Sequence, residues 1–460
     1  MCAVGVFKGR GALTRAGVAC ARFGINVLYK LFDLLPRRDE VLFFSRQSNE
    51  PSGDFLELGR QFEEKGFAPV FMTKKLSLRS VFPYAAFAVR EIYYLARCRV
   101  CVVDRYDPVI SLVSLRCEDA PVDSAPAASV GGAYAVQAGP SGLPLYDRFP
   151  EEPVVVQLWH AFGAFKKFGF QSLGTRESHP VDTARIFRIH RNYSWVLCSG
   201  QGARVPFAEA FNVPVDRVVA LPRPEYFELL ERAKSPRRCV SKAWSSASDG
   251  QGVASACGAA EVAGGAGVDA PRKAAAAAGV AEAAGAAGAI ALPARRPRVL
   301  VAPTLRKSHE TEHPLRDLYA SGAWHALESA ACVAWSFHPL EEAGVASGGV
   351  NELLPDADYV VTDYSSIVYE AYLLGKRVAF YVPDLEQYAR TPGLNANPGD
   401  LCPDLCFSSA EDLACFLSQV ESGVLEYPCD QYERFFASAF DVCEHDRTCV
   451  VDFVLGHMAR

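Results

Sequence analysis

The sequence predicts an α/β protein with two doubly wound parallel sheets, and three features of the chain support this. Short apolar runs alternate with helix-like segments from Glu40 onward, and such alternation is typical of a parallel sheet with helices on both faces. A second series of the same kind starts at Arg298. Between the two series, at residues 235–297, Ala, Gly and Ser dominate, and such a segment buries too little apolar surface to offset its ordering entropy. We therefore predict two Rossmann-like domains separated by a disordered linker or insertion.

The strands are predicted from apolar runs in the sequence, each of which ends at polar residues. The runs before the linker lie at residues 41–44, 68–72, 99–103 and 153–158, and those after it at 298–302, 332–337, 359–362 and 377–382. Helix-like segments at 55–65 and 85–96 alternate with the first runs, and residues 117–150 form a predicted surface excursion. Because ligands of such sheets bind where the strands end, the polar residues at those ends form the candidate site.

Composition excludes several classes of protein. The chain has 460 residues, a net charge of -6 and a pI near 5.9, which argues against a surface devoted to nucleic acid. Its 15 cysteines are scattered, mostly in apolar runs, as is typical of buried free thiols in a reducing cytoplasm. Cys98 and Cys101 have no second pair at metal-ligand spacing. We predict no metal site and no cofactor.

The first 38 residues carry a basic amphipathic pattern. Asp33 is their single acidic residue, against seven basic residues, namely Lys8, Arg10, Arg15, Arg22, Lys30, Arg37 and Arg38. Such a segment can lie on an anionic bilayer, and a basic helix packed on the first domain is the alternative. No run reaches the roughly 18 to 20 apolar residues of a spanning helix. Peripheral association with an anionic membrane surface is therefore the expected arrangement.

A histidine stands at the end of the fourth predicted strand. The apolar run 154–158 leads to His160, and Gly163, Lys166 and Lys167 follow closely. Neutral imidazole can accept a proton from a hydroxyl near pH 7, and the two lysines can hold an anionic substrate. The alternative is a hydrogen-bonded structural histidine.

Hydroxyl side chains stand at a strand end in the second domain. The run 359–362 leads to Thr362, Ser365 and Ser366, and a helix-like segment follows. Backbone N–H groups at a helix start, together with these hydroxyls, form a phosphate site that needs no Walker lysine. Helix capping by Asp363 and Ser365 is the alternative.

Two more strand ends of the second domain carry polar residues. One run ends at His338, directly before Pro339, and another is followed by Thr304, Arg306 and Lys307. A hydroxyl and two cations suit phosphate oxygens. Each feature is weak by itself, but their joint placement at strand ends predicts a site for an anionic substrate.

Taken in chain order, these residues resemble the motifs of a known family. The motifs are Trp159-His160, Pro222-Arg223, Pro303-Thr304-Leu305-Arg306, His338-Pro339, Thr362-Asp363-Tyr364-Ser365-Ser366 and residues 380–388. They look like those of the CDP-glycerol:polyglycerophosphate glycerophosphotransferase family of teichoic acid polymerases. The likeness spans roughly residues 25 to 420. It implies a GT-B-like fold, in which two Rossmann-like domains face a cleft.

The resemblance also implies a reaction and its residues. A terminal acceptor hydroxyl attacks the β-phosphorus of CDP-glycerol or CDP-ribitol and releases CMP. The implied catalytic residues are His160 and His338. The implied donor diphosphate ligands are Arg306, Thr362, Ser365 and Ser366. Further contacts with anionic substrate are expected from Lys166, Lys167, Arg223 and Thr304.

The family's setting completes the expectation. It implies a lipid-linked polyol-phosphate acceptor and a peripheral enzyme on the cytoplasmic face of the cell membrane. Residues 1–38 then form the membrane-associating segment, 39–234 the acceptor domain, 235–297 the linker and 298–460 the CDP-donor domain.

Departures from the family pattern leave the donor open. The residues after the histidine, Ala161-Phe162-Gly163-Ala164, are closer to ribitol-type members than to the commoner Gly-Thr-Pro, and Leu305 replaces a tryptophan. The enzyme alternative is a nucleotide-sugar glycosyltransferase of the same fold, which releases a nucleoside diphosphate. A catalytically idle scaffolding protein is the alternative from another class.

Overall fold

The protein is described from a computed structural model. The model describes residues 11–75, 81–117, 143, 145–146, 148–175, 178–234, 244, 296–306, 313–337, 349–440 and 449–458. The chain divides into two compact units, Met1–Phe227 with Glu444–Arg460, and Glu228–Cys443. Each unit has its own parallel sheet, which confirms the predicted α/β class. The predicted linker lies outside the described residues apart from Trp244, Arg296 and Pro297.

The first unit is built on six parallel strands. Its strands in chain order are β1 (Glu40–Ser45), β2 (Ala68–Thr73), β3 (Val100–Val103), β4 (Arg116–Cys117), β5 (Pro150–Glu152), β6 (Val154–Gln157), β7 (Trp195–Cys198) and β8 (Val218–Ala220). Strands β4 and β5 form a separate antiparallel pair. The order in the main sheet is β2-β1-β3-β6-β7-β8. Strands β3 and β6 are buried at every position, as expected for strands covered on both faces.

Helices cover this sheet. They are Gly11–Phe32, Gly53–Glu64, Val81–Arg97, Pro108–Leu112, Val181–Phe187, Arg204–Phe211 and Cys449–Gly456. Helix Gly53–Glu64 begins where the Ser52 side chain accepts a hydrogen bond from the N–H of Phe55. Its apolar face buries Leu58 and Phe62 against the sheet, and each such side chain contributes about 1.5–3 kcal/mol to folding.

The predicted second domain, residues 298–460, includes the last helix, but in the structure this helix packs in the first unit. Helix Cys449–Gly456 belongs to the first unit, where Val451 and Val454 pack with Leu58 in one core cluster. Lys65 Nζ lies 2.7 Å from Asp452 Oδ1. The helix pattern in the sequence predicts a buried apolar face but does not say which sheet receives it.

The second unit is built on five parallel strands. They are β9 (Arg298–Val301), β10 (Cys332–Trp335), β11 (Tyr359–Thr362), β12 (Arg377–Tyr381) and β13 (Cys406–Phe407), in the order β10-β9-β11-β12-β13. Helix Pro224–Lys234 leads into this unit. Its further helices are Pro314–Ser321, His325–Glu328, Val350–Leu353, Ile367–Leu373, Leu385–Tyr388, Pro398–Leu401, Ala410–Glu421 and Cys429–Ala437.

Each sheet has a point at which the strand order reverses. In the first unit the chain extends the sheet from β1 to β2 on one side and from β1 to β3 on the other, so the reversal lies between β1 and β3. In the second unit it lies between β9 and β11. Loops diverge at such a point and leave a crevice beyond the carboxyl ends of the strands, where ligands of open α/β sheets bind.

A buried ion cluster supports the first unit beside β1. Arg46 follows this strand and ion-pairs with Asp107 and with Glu91, whose Oε2 lies 3.1 Å from the guanidinium. Asp107 also caps the next helix by accepting hydrogen bonds from the N–H groups of Val109 and Ile110. Burial, together with the neighbouring Asp107, raises the pKa of Glu91 well above its ordinary value.

We expect Glu91→Gln to flatten the pH dependence of stability. Because the folded-state pKa of Glu91 is raised, its contribution to stability is present at low pH and is lost as pH rises from the unfolded pKa to the folded one. One such proton changes the free energy of unfolding by about 1.4 kcal/mol per pH unit in that window. Urea denaturation at a series of pH values measures it. The control is Glu63→Gln on the exposed face of its helix, and equal pH profiles for both variants would contradict the prediction.

Candidate functional site

A tight turn delivers His160 to the carboxyl end of β6. The side chain of Gln157 holds this turn, because its Oε1 accepts from the N–H of Trp159 at 2.9 Å and its Nε2 donates to the carbonyl of Arg105 at 3.3 Å. Trp159 has a φ of 55°, in the left-handed region. A bulky residue keeps that conformation only where its surroundings impose it, and such positions cluster at functional sites.

Aromatic rings fix the orientation of this turn. The Trp159 ring stacks on Phe168 with centroids 4.9 Å apart and meets Phe211 edge to face at 5.2 Å. The imidazole of His160 lies 4.3 Å from the Trp159 ring, and His160 is partly exposed. The imidazole is therefore held on a rigid aromatic platform at the edge of the sheet.

An ion pair across the strand ends fastens the backbone of His160. The Arg223 guanidinium donates to Asp54 Oδ2 at 2.5 Å and to the carbonyl of His160 at 3.1 Å, and it also pairs with Glu225. It lies 4.0 Å from the Phe162 ring centroid. The predicted contact between Arg223 and anionic substrate stays a prediction, because the described contacts of this guanidinium are internal ones.

Sequence reasoning missed two residues at the reversal point of the first sheet. Ser45 at the end of β1 donates its hydroxyl hydrogen to Asp104 Oδ2 at 2.9 Å, directly after β3. Burial raises the pKa of Asp104, and its Oδ1 has no hydrogen-bond partner among the residues that the model describes. The available signal was the position of an acidic residue at the end of a central strand. The carboxylate lies at the strand ends where ligands of open α/β sheets bind.

The loop after His160 carries the two predicted lysines. Lys166 is partly exposed and Lys167 is exposed. The loop then turns at Gly169, which has a φ of 55°, and a Cβ there would lie 2.2 Å from the carbonyl oxygen of Ala210. Only glycine fits this close backbone approach. The backbone is therefore fixed at the end of the loop that carries the lysines.

A buried charge network occupies the reversal point of the second sheet. Arg306 donates to Asp384 Oδ2 at 2.5 Å and to Asp363 Oδ2 at 3.0 Å, and its side chain is 2% exposed. Asp363 Oδ1 accepts from the N–H of Thr304 at 2.7 Å, and the Thr304 hydroxyl accepts from the N–H of Tyr364 at 3.1 Å. The network ties the loop after β9 to the loop after β11.

Stacked rings extend this network. The Tyr364 ring lies 3.9 Å from the Tyr388 ring with nearly parallel planes, and the Arg306 guanidinium lies 4.7 Å from the Tyr388 centroid. The Tyr364 hydroxyl donates to Asp384 Oδ1 at 3.0 Å. Arg306 is thus enclosed by two carboxylates and two rings.

The predicted phosphate residues at the end of β11 and directly after it fall into two groups. Thr362 is fully buried, and its hydroxyl donates to the carbonyl of Ala302 at 2.5 Å. Ser365 and Ser366 are partly exposed, and their backbone N–H groups have no acceptor among the described residues. Helix Ile367–Leu373 is only 7 residues long, so any phosphate affinity here rests on the loop donors rather than on a helix dipole.

Some predictions remain outside this description. The predicted catalytic His338 and the neighbouring Lys307 lie outside the described residues. In the described ranges no group of three His, Cys, Asp or Glu side chains is placed to hold a metal ion. Among the helices described, none combines the length and apolar character that a bilayer span demands.

Comparison with known proteins assigns the family. Residues 27–243 and 275–439 match the family described as CDP-Glycerol:Poly(glycerophosphate) glycerophosphotransferase. This match covers well over half of the chain, and the chain belongs to that family. The resemblance seen in the sequence motifs is thereby confirmed.

Two relatives from Bacillus spizizenii illustrate the match. The chain is 24% identical to a teichoic acid ribitol-phosphate primase over 385 residues, which cover 79% of this chain and 78% of the primase. It is 21% identical to a teichoic acid poly(ribitol-phosphate) polymerase over 90% of this chain and 55% of the polymerase. The chain thus spans about half the length of the polymerase.

Solved structures of the wall teichoic acid polymerase TagF share the fold. One TagF structure superimposes with a TM-score of 0.52 at 14% identity, over 98% of this chain and 97% of that chain. A TagF variant soaked with CDPG gives a TM-score of 0.55 at 13% identity, over 97% and 98%. At such identity the likeness shows the fold alone.

Proposed function

We propose that this protein transfers glycerol-phosphate or ribitol-phosphate from a CDP-polyol donor to a hydroxyl of a membrane-linked, teichoic acid-type polymer. The observation that carries this proposal is the partly exposed His160 at the end of β6. Its imidazole lies against the Trp159 ring, and its backbone carbonyl accepts a hydrogen bond from Arg223. Family membership and the names of the relatives support the reaction class.

In this proposal His160 acts as the general base. It removes the proton from the acceptor hydroxyl as that oxygen forms a bond to the β-phosphorus, and the bond from this phosphorus to the CMP oxygen breaks. A positioned base supplies about 10²–10⁴-fold of rate acceleration. His338 keeps its predicted role as the second catalytic histidine.

The donor diphosphate binds to the second unit in the same proposal. Ser365 and Ser366 donate from their hydroxyls and backbone N–H groups to the phosphate oxygens, which stabilises charge on the departing CMP. Arg306, Thr304 and Thr362 position this loop from the interior.

Membrane association belongs to the proposal as well. Helix Gly11–Phe32 packs Ile25, Leu28 and Tyr29 against the core of the first unit, as the packed-helix alternative predicts. A separate set of large apolar side chains on this helix and just after it is exposed, at Phe23, Val27, Leu31, Leu34 and Leu35. With the flanking basic residues, this set suits the surface of an anionic bilayer on the cytoplasmic face.

We expect Leu31→Ser combined with Leu34→Ser to weaken binding to anionic vesicles. These side chains are 57% and 81% exposed, so the change removes apolar contact with lipid and leaves the core intact. Co-sedimentation with phosphatidylglycerol vesicles measures the bound fraction. The matched control replaces the exposed Val424 and Leu425 of the second unit with serine. Equal binding by both double variants would count against the proposal.

Nucleotide release tests the reaction itself. Purified protein is supplied separately with CDP-glycerol, CDP-ribitol or a UDP-sugar, each with a membrane-lipid acceptor extract. Release of CMP with one CDP-polyol supports the proposal and identifies the donor. Release of UDP alone would replace it with the nucleotide-sugar glycosyltransferase alternative, and absence of release with every donor would favour the idle scaffold.

A further inference from the structure

A cavity of about 280 Å³ lies in the first unit. It is lined by Tyr146, Arg148, Arg188 and Arg191, and none of these residues takes part in the proposed transfer. We call these four residues the arginine pocket. Three of these four described lining residues are arginines.

The backbone holds the pocket in shape. Arg188 ends helix Val181–Phe187 in the left-handed conformation, with a φ of 48°, and its carbonyl accepts from the N–H of Arg191 at 3.1 Å. The Tyr146 hydroxyl donates to the carbonyl of Ile189 at 2.8 Å. These bonds set the tyrosine ring against the turn that carries two of the arginines. The turn that carries Arg188 and Arg191 is therefore fixed against the Tyr146 side chain.

Two of the pocket arginines, Arg188 and Arg191, carry charges that no acidic group balances among the described residues. Neither Arg188 nor Arg191 has an ion-pair partner among the described residues. Burial lowers the pKa of Arg188, and the charges of Arg191 and Arg22 lower it further. Partly buried cations that repel one another destabilise the folded state unless an anion binds between them.

We propose that the arginine pocket binds the phosphate group of a phosphate ester. Guanidinium groups are planar forks of N–H donors and bind phosphate oxygens in pairs. The guanidinium groups of Arg188 and Arg191 together supply enough donors for the several acceptor oxygens of a single phosphate. The Tyr146 ring provides an apolar wall for the ester carbon chain. The pocket is a second anion site, independent of the transfer reaction.

The ester has two possible sources with the same chemistry. One is the headgroup of an anionic phospholipid, since Arg22 on helix Gly11–Phe32 acts on Arg188 and is followed by the exposed Phe23. The other is a phosphate ester in solution, such as one unit of an anionic polymer. Soluble and vesicle-borne probes separate the two.

Phenylglyoxal modifies arginine side chains, and peptide mass spectrometry of the full chain gives the modification rate of each arginine separately. We expect sn-glycerol 3-phosphate in solution, or phosphatidylglycerol vesicles, to protect Arg188 and Arg191. At about ten times the dissociation constant only about one tenth of the sites stay open, so modification slows about tenfold. The exposed Arg90, on another helix, is the internal control and should react at an unchanged rate.

Each outcome decides the proposal. Protection by soluble sn-glycerol 3-phosphate supports a free ester, and protection by phosphatidylglycerol but not phosphatidylcholine vesicles supports a lipid headgroup. Unchanged modification of Arg188 and Arg191 with every probe would overturn the proposal, whatever the nucleotide-release assay shows.

A charge variant gives a second measurement. Arg188→Gln with Arg191→Gln should bind sn-glycerol 3-phosphate at least about tenfold more weakly in calorimetry. Its unfolding midpoint at low ionic strength should be no lower than that of wild type, because the repulsion is removed. The control variant Arg90→Gln should keep wild-type binding. A double variant that is folded and binds as tightly as wild type would also refute the proposal.

Discussion

Replacing His160 with alanine is expected to lower the turnover of CDP-polyol by at least about 10²-fold. The imidazole is the base in the proposed transfer, and the carbonyl that Arg223 contacts belongs to the backbone, which the substitution retains. The rate of CMP release at saturating donor measures the effect. Thermal unfolding of the variant should stay close to that of wild type, because the side chain is partly exposed.

A second histidine serves as the matched control. His325 lies in helix His325–Glu328 of the second unit, paired with Glu328, with its side chain 61% exposed. His325→Ala should keep wild-type turnover. If His160→Ala also turns over at the wild-type rate, the base must be another group, and Asp104 becomes the first residue to test in its place.

Replacing Arg306 with alanine is expected to destabilise the second unit by about 3–5 kcal/mol. The substitution leaves Asp363 and Asp384 buried without their shared cation, and both carboxylates are 2% exposed. The loop from Thr362 to Ser366 should also lose its anchor, which raises the KM for the CDP-polyol. Urea denaturation gives the free energy of unfolding, and donor titration gives the KM.

Arg390 provides the comparison for Arg306. It pairs with Glu386 at 3.1 Å in the same unit, but both side chains are exposed, at 77% and 89%. An exposed pair contributes about 1 kcal/mol or less, so Arg390→Ala should have little effect on stability. If both variants lose the same free energy of unfolding, burial is not the reason that Arg306 stabilises the second unit.

Much of the fold can be predicted from local patterns. The apolar runs at 41–44 and 359–362 correspond to β1 and β11, and His160 follows β6 as the pattern predicts. The predicted strands do not include β7 and β8, which lie between short helices. A short apolar run between helices cannot be told from a buried part of a helix by its periodicity.

The ion pairs at the strand ends could not be predicted in this way. Arg223 and Asp54 are 169 residues apart, and Arg306 and Asp384 are 78 apart. The sequence predicts that Arg306 binds a phosphate group. Its burial between two carboxylates depends on the order of the strands, which local composition does not report.

The amino-acid sequence by itself determined the α/β class, the polar residues at the strand ends and the family, because burial periodicity and motif spacing are local properties of the chain. Tertiary structure decided the reversal points of the two sheets, the place of helix Cys449–Gly456 and the convergence of Tyr146 with Arg188 and Arg191. The physical reason is that the sequence shows locally which apolar faces must be buried and which charges must be paired. The group that each of them contacts depends on strand order and packing.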